Sequence, residues 1–222
     1  MSGAVLLVPG SWHGAWCYDA VVERLRDAGM RVTAIDLPSN DGASGLGDDA
    51  AAVRAALDAI GEPAVVVGHS YGGIAVSEGA AGSPHAAALV YLCAFMLEPG
   101  KSLLDAMQHQ LPPWIALDEA AGSHLAQDTA RSLYADCPPD VASAASKRLT
   151  RQSVAAIATP QTAAAWQELP STYVVCEQDR AVPAAAQEAM AERAGRVERL
   201  ASSHSPFLSR PSDVAAIVRR SV

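Results

Sequence analysis

Six short apolar runs, most of them followed by a helical pattern, constrain the fold of this chain more than any other feature. Each run is nearly continuous in small and branched apolar residues, which is typical of strands that are buried on both faces of a parallel sheet. The helical stretches between them begin at proline or end at glycine. This alternation predicts an α/β fold, with helices on both faces of a mostly parallel sheet of about six strands. The runs are Ala4–Val8, Arg31–Ile35, Ala64–Val67, Ala88–Ala94, Thr172–Cys176 and Val197–Leu200.

One long segment, residues 98–170, interrupts the alternation. It has no strong strand pattern, but it contains helical pieces and two proline pairs, at 112–113 and 138–139. Because ordinary connections have ~4–6 residues, this length predicts an inserted helical cap rather than a loop. We therefore expect one structural domain in the 222 residues, in which residues 1–97 and 171–222 form the core and residues 98–170 form the cap.

Composition and charge exclude several classes of protein. The 16 basic and 24 acidic side chains give a net charge of −8, which disfavours binding to nucleic acid. An apolar content of 50% excludes intrinsic disorder, yet no run approaches the ~20 apolar residues of a membrane span. No basic stretch precedes the first apolar run, so we expect no secretory signal and a cytoplasmic location.

Metal and cofactor sites are not predicted. The four cysteines are far apart and have no histidine at metal-ligand spacing, so neither a zinc site nor a disulfide scaffold is expected. The glycine-rich segment at residues 39–47 lacks a nucleotide-binding pattern.

The strongest chemical signal is the pattern Gly-x-Ser-x-Gly at residues 68–72, between a predicted strand and a helix rich in small residues. A serine on such a tight turn has a strained backbone, and the glycines two positions away avoid clashes. The turn lifts the hydroxyl of Ser70 above the sheet, at a helix amino terminus that favours negative charge. We therefore predict that Ser70 is a nucleophile.

A serine nucleophile needs a base and a third group that orients the base. His204 follows the last strand, so it is expected at the carboxyl edge of the sheet, where Ser70 also lies. Asp179 and Glu177 both follow the fifth strand, and Asp179 is preferred because it lies further along the loop. His13 is the competing base, but it precedes the serine and lacks a paired acid, so it is better interpreted as a brace for its own loop.

The loop after the first strand is expected to help stabilise an oxyanion. One donor is the backbone N–H of Tyr71, and the other is the backbone N–H of Ser11. Gly10 allows close approach of this loop, which also contains Trp12 as a candidate substrate-binding residue. Loss of one such donor costs ~2.7–4 kcal/mol in comparable sites. Apolar cap residues are candidates for the pocket lining, namely Trp114, Leu103, Met107 and Leu111.

Together these motifs resemble the α/β-hydrolase superfamily, and more narrowly its small plant-type methylesterase and hydroxynitrile lyase branch. The resemblance spans almost the whole chain and implies a triad of Ser70, Asp179 and His204. It also implies Ser11 and Tyr71 as oxyanion donors. Lyases of this branch have a lysine directly after the catalytic histidine, where this chain has Ser205, so cyanohydrin cleavage is disfavoured. The matching segments are residues 9–16, 36–38, 68–73, 133–138 and 173–179.

The expected function is that of a serine esterase without a cofactor, which cleaves carboxylic esters of small or apolar substrates through an acyl-enzyme. Two alternatives stay open: a lyase-like or other acyl-transfer activity, and a non-catalytic ligand-binding member of the fold. The expected partner is a small-molecule ester, and a homodimer is the candidate assembly.

Overall fold

Parallel strands form the central sheet of the protein. The computed structural model describes residues 3–222. In chain order the strands of this range are β1 (Ala4–Val8), β2 (Arg31–Ala34), β3 (Ala64–His69), β4 (Ala86–Leu92), β5 (Ile115–Asp118), β6 (Ser123–Ala126), β7 (Gln152–Ser153), β8 (Ser171–Cys176) and β9 (Arg196–Leu200). The central sheet has the order β2-β1-β3-β4-β8-β9, and its neighbouring strands pair in parallel. These are the strands that the apolar runs predict, so the predicted fold class is confirmed.

Local sequence features determine where the helices end. For example, the second helix ends at Gly61, whose φ of 68° is left-handed and whose N–H bonds to Leu57. The helices are α1 (Asp19–Asp27), α2 (Leu46–Ile60), α3 (Gly72–Gly79), α4 (Leu103–Ala106), α5 (Thr129–Ser132), α6 (Pro139–Ser146), α7 (Val154–Ala158), α8 (Ala184–Ala191), α9 (Pro206–Ser209) and α10 (Pro211–Arg220). Within residues 3–222, none of them is long and apolar enough to cross a membrane.

The helices cover both faces of the central sheet. Alternate residues of β1 point to opposite faces, so that Leu6 packs in one core cluster and Leu7 in the other. The Leu6 side also contains Val53 of α2 and Met190 of α8, whereas the Leu7 side contains Leu25 of α1. The inner strands β1, β3, β4 and β8 are therefore buried on both faces, which explains their continuous apolar runs, whereas the edge strands β2 and β9 are partly exposed.

The inserted segment is less helical than the sequence predicts. Besides α4 to α7 it contains an antiparallel sheet of three strands in the order β5-β6-β7. The predicted helical cap without a strong strand thus also contains three short strands. These strands have only two to four residues each, too few for a clear period of two. The β5–β6 turn is shaped by Gly122 with a φ of 61° and by Asp118, whose carboxylate accepts the N–H of Ala121. The division at residues 98 and 170 stays a prediction.

Candidate active site

Ser70 lies on a sharp turn between β3 and α3. Its φ is 51°, in the left-handed region that costs a non-glycine residue free energy. Its backbone N–H donates to Leu92, and its carbonyl accepts the N–H of Phe95 at 3.0 Å. These bonds to the segment at the end of β4 hold the strained turn in place. The side chain is thereby presented at the carboxyl edge of the sheet.

The glycines on either side of Ser70 are required by close backbone contacts. A Cβ added at Gly68 would lie 2.8 Å from the carbonyl oxygen of Gly72. A Cβ at Gly72 would overlap the carbonyl oxygen of Pro9 and would lie 2.9 Å from that of Val8. The pattern at residues 68–72 therefore reflects packing of the turn against the end of β1.

Substitution of Gly72 by alanine is expected to lower the free energy of unfolding by about 2 kcal/mol or more, because backbone atoms must move to admit the methyl group. The matched control is Gly47→Ala in α2, where an added Cβ meets nothing within 4 Å. That change is expected to stabilise the protein by about 0.5–1 kcal/mol. Urea unfolding monitored by circular dichroism measures both. A Gly72→Ala protein as stable as wild type would contradict this account of the turn.

His204 connects Ser70 to Asp179. Its Nε2 lies 3.1 Å from Ser70 Oγ, and its Nδ1 lies 2.7 Å from Asp179 Oδ2. The side chain of His204 is 3% exposed and that of Asp179 is 0% exposed, so both bonds are shielded from water. Glu177, the alternative acid, is exposed to solvent. The structure thus brings together the three residues that the sequence singles out.

Four donors fix the carboxylate of Asp179. Its Oδ1 accepts the backbone N–H groups of Ala181 at 2.7 Å and Val182 at 3.0 Å. Its Oδ2 accepts from Gln187 Nε2 at 2.9 Å as well as from the ring of His204. Gln187 lies on α8 and is fully buried. Gln187 is not predicted as a site residue, because the sequence shows only a glutamine on the buried face of a helix.

Two backbone amides next to Ser70 have no acceptor. Within residues 3–222, neither the N–H of Ser11 nor that of Tyr71 donates to a protein group. The hydroxyl of Tyr71 points away and donates to Asp49 at 2.6 Å. A Cβ at Gly10 would lie 2.7 Å from Ser70 Cβ, so only glycine lets this loop approach the serine so closely.

The loop after β1 is anchored on several sides. Trp12 has a φ of 65°, and its backbone N–H donates to Asn40 Oδ1 at 2.9 Å. Its carbonyl accepts the N–H of Thr150 at 2.9 Å, and its indole N–H donates to the carbonyl of His124 at 3.1 Å. Thr150 and His124 belong to the inserted segment. That segment therefore helps to hold the loop in a strained conformation.

A second contact from the inserted segment reaches the same loop through His13. One ring nitrogen of His13 lies 2.9 Å from the carbonyl oxygen of Ser11, and the other lies 2.8 Å from the hydroxyl of Tyr134. Burial lowers the pKa of His13 to about 4. A neutral ring donates from only one nitrogen, so Nδ1–H donates to Ser11 and Nε2 accepts from Tyr134. His13 thus braces the loop, and it lies away from Ser70 Oγ.

A third histidine, His69, lies below the site. Its Nε2–H donates to the backbone carbonyl of His204 at 2.8 Å, and burial lowers its pKa well below the ordinary value. The thiol of Cys93 also approaches that carbonyl, at 3.4 Å. Potential metal-ligand atoms of His69, Cys93 and His204 lie within 4.8 Å of one another. Burial raises the pKa of Cys93 well above the usual range, so it stays a thiol, and we assign this cluster to support of His204.

A small enclosed cavity of about 20 Å³ lies over Ser70 and His204. Its walls are mostly apolar and include Trp12 and, from the inserted segment, Trp114. Of the predicted lining residues, Leu103, Met107 and Trp114 line this cavity, and Leu111 packs against the neighbouring cluster that contains Trp12 and Ile115. A place for Leu111 in the lining stays a prediction. The lining residues are Ser11, Trp12, Ser70, Phe95, Leu103, Met107, Trp114, Ile115, Ala181, Val182 and His204.

Comparisons with known proteins agree with this geometry. A model of the alpha/beta hydrolase family matches residues 5–217. The alpha/beta hydrolase nvfD of Aspergillus novofumigatus (strain IBT 16806) is 35% identical over 237 residues, covering 97% of this chain and 95% of that protein. Methyl jasmonate esterase 1 of Vitis vinifera is 28% identical over 250 residues, covering 98% and 95%. The latter bears out the resemblance to plant methylesterases.

Among solved structures, a pyrethroid hydrolase from Sphingobium faniae JZ-2 has a TM-score of 0.84. It is 23% identical, and the alignment covers 99% of this chain and 97% of that one. This likeness shows the fold. Since the family model spans nearly all of the sequence and a relative with 35% identity aligns along its whole length, the chain belongs to the alpha/beta hydrolase family.

Proposed function

We propose that this protein is a serine hydrolase that cleaves carboxylic esters through a covalent acyl-enzyme. The observation that carries the proposal is the buried chain of hydrogen bonds from Ser70 Oγ through the ring of His204 to Asp179. A serine becomes nucleophilic when an oriented base stands ready to take its proton, and this arrangement supplies both the base and its orienting group.

In the first half of the reaction His204 Nε2 takes the proton of Ser70 as Oγ attacks the carbonyl carbon of the ester. The C=O electron pair moves to oxygen and gives a tetrahedral oxyanion. When this pair returns, the C–O bond to the alkoxy group breaks, and the imidazolium gives its proton to the departing alcohol. Asp179 stabilises the imidazolium while it exists.

In the second half water repeats the attack on the acyl-enzyme. His204 takes one proton of the water as its oxygen bonds to the acyl carbon. Collapse of the second oxyanion breaks the bond to Ser70 Oγ, which recovers its proton from the imidazolium. The products are one carboxylic acid and one alcohol, and the enzyme returns to its starting state.

The free amides of Ser11 and Tyr71 suit the oxyanion. Both residues are buried, at 6% and 0% exposure, so hydrogen bonds to developing charge are stronger there than in water. Donors that are fixed before the reaction need no reorganisation when charge appears. The anchoring of Trp12 and His13 to the inserted segment serves this rigidity.

The predicted preference for esters of small or apolar substrates is supported by the cavity where it adjoins the scissile bond. Its walls include Phe95, Leu103 and Met107, which offer no charged partner to a polar group. We expect the group that enters this cavity to be short and uncharged.

The names of the relatives support the same enzyme class. The grape relative is described as an esterase, and the structural neighbour from Sphingobium as a hydrolase. The hydroxynitrile-lyase alternative gains no support from the site, because the residue after His204 is the buried Ser205.

Labelling with a fluorophosphonate tests the proposal. The reagent is expected to lose fluoride as it transfers one phosphonyl group to Ser70 of the wild-type protein. Intact-protein mass spectrometry should show a single mass increase. Heat-denatured protein is the control, since labelling requires the assembled site. A native protein that stays unlabelled and releases no 4-nitrophenol from 4-nitrophenyl acetate would contradict the proposal and favour a non-catalytic binding protein.

A further inference from the structure

The inner cavity is too small to hold a whole ester. A volume of about 20 Å³ accommodates roughly one water molecule. In this conformation only the group next to the scissile bond fits there. The remainder of a substrate must extend out of the cavity.

A larger groove of about 620 Å³ adjoins the cavity on the side of the inserted segment. The two share Trp114, which lines both. Two consecutive residues after Asp179 also connect them, since Arg180 lines the groove and Ala181 lines the cavity. A substrate that passes Trp114 therefore emerges into this groove.

The groove has an excess of positive charge. Arg131, in the last turn of α5, and Arg180 both line it and are exposed, and Asp128 is the acidic residue among its lining. Of the twelve other arginines, six pair with a carboxylate in the described residues, as Arg151 does with Asp118, and six do not. Within residues 3–222, the guanidinium groups of Arg131 and Arg180 form no such ion pair.

This positive charge contrasts with the net charge of the whole chain, which is −8. An acidic surface repels an anion, while two guanidinium groups against one carboxylate attract it to this groove.

We propose that the groove of Arg131 and Arg180 binds a carboxylate of the substrate, and that the enzyme prefers esters carrying this negative charge outside the inner cavity. This proposal rests on the proposed esterase function and specifies its substrate class. The inner cavity takes the uncharged group at the scissile bond, and the arginines hold the charged end. The carboxylate belongs to the acyl part or to the alcohol part, depending on which of them leaves the cavity past Trp114.

Two pairs of esters test the proposal. Mono-4-nitrophenyl glutarate is compared with neutral 4-nitrophenyl pentanoate for a carboxylate on the acyl side. The ester 3-acetoxybenzoate is compared with neutral 3-acetoxybenzamide for a carboxylate on the alcohol side. The measured quantity is the ratio of kcat/KM for the charged and neutral members of each pair. We expect a ratio above one in one pair, falling at about 1 M salt because exposed charges are screened.

Four variants identify the groove as the source of the preference. Arg131→Gln and Arg180→Gln are each expected to lower the ratio roughly two- to fivefold, the range for exposed ion pairs, and the double variant more. A double Arg→Lys variant keeps the charge and should keep most of the preference. Arg210→Gln is the matched control, because Arg210 is exposed and lies outside the groove.

The ratios of kcat/KM in the variants decide between support and rejection of the proposal. A ratio that is lost in the double glutamine variant and kept in the double lysine variant supports the proposal. Ratios near one in both pairs, or a preference that survives the double glutamine change, overturn it. Turnover of the neutral esters by the wild-type protein reports separately on the esterase function, so the two proposals fail independently.

Discussion

Substitution of Ser70 by alanine is expected to lower kcat for 4-nitrophenyl acetate by about 10⁴- to 10⁶-fold, the range found when a serine nucleophile is removed. The variant retains the oxyanion donors and the cavity, but it has no oxygen that can form an acyl-enzyme. Water activated by His204 provides the residual rate. The measurement is a steady-state assay with the variant purified separately from any active enzyme, so that contamination does not set the observed rate.

A second buried serine provides the control for this experiment. Ser77 lies on α3, the helix that follows the turn of Ser70. Its hydroxyl donates to the carbonyl oxygen of Gly73 and lies 2.8 Å from the hydroxyl of Tyr91. Ser77→Ala is expected to cost about 1 kcal/mol of stability, because a buried partner loses its hydrogen bond, and to leave kcat within a fewfold. If Ser70→Ala kept more than about a hundredth of the wild-type kcat, Ser70 would not be the nucleophile.

The predictable part of the site is the part that is fixed by strand ends. Ser70 follows β3, Asp179 follows β8 and His204 follows β9, and parallel strands bring their carboxyl ends to one edge. Once the strands are recognised, the sheet itself assembles these residues. The apolar runs show the strands clearly because both faces of the sheet are buried.

The parts that could not be predicted depend on contacts between distant segments. The hydrogen bond of Tyr134 to His13 spans 121 residues, and that of Trp12 to His124 spans 112. Neither has a local pattern in the sequence. The short strands β5 to β7 form by pairing within the inserted segment, and they too have no local pattern.

Those long-range contacts bear on function because they connect the inserted segment to the reacting groups. Tyr134 reaches the loop after β1 through His13, and Asp136 accepts a hydrogen bond from Ser203, the residue before His204. The same segment provides Trp114 and Arg131, which line the proposed path of the substrate. Changes in this segment are therefore expected to alter both the choice of substrate and the geometry of catalysis.

Exchange of Asp179 for asparagine is expected to lower kcat by about 10⁴-fold, the cost of the same change in other serine hydrolases. Asp179 Oδ2 accepts hydrogen bonds from both Gln187 and His204, and Oδ1 accepts from two backbone amides. An amide nitrogen must replace one of these oxygens. The two backbone amides require an acceptor at Oδ1, so the nitrogen takes the place of Oδ2 and faces His204 Nδ1.

That replacement places the proton of the imidazole on the wrong nitrogen. With an N–H donor opposite it, Nδ1 becomes the acceptor, and Nε2 carries the hydrogen towards Ser70. A ring in this tautomer cannot take the proton of the serine, and no carboxylate stabilises the imidazolium.

Glu177→Gln is the matched control. This change also removes one negative charge, two residues earlier in the chain, but from an exposed side chain. It is expected to change kcat less than threefold. Equal losses in the two variants, with both shown to be folded by circular dichroism, would mean that net charge near the site matters and that Asp179 does not orient His204.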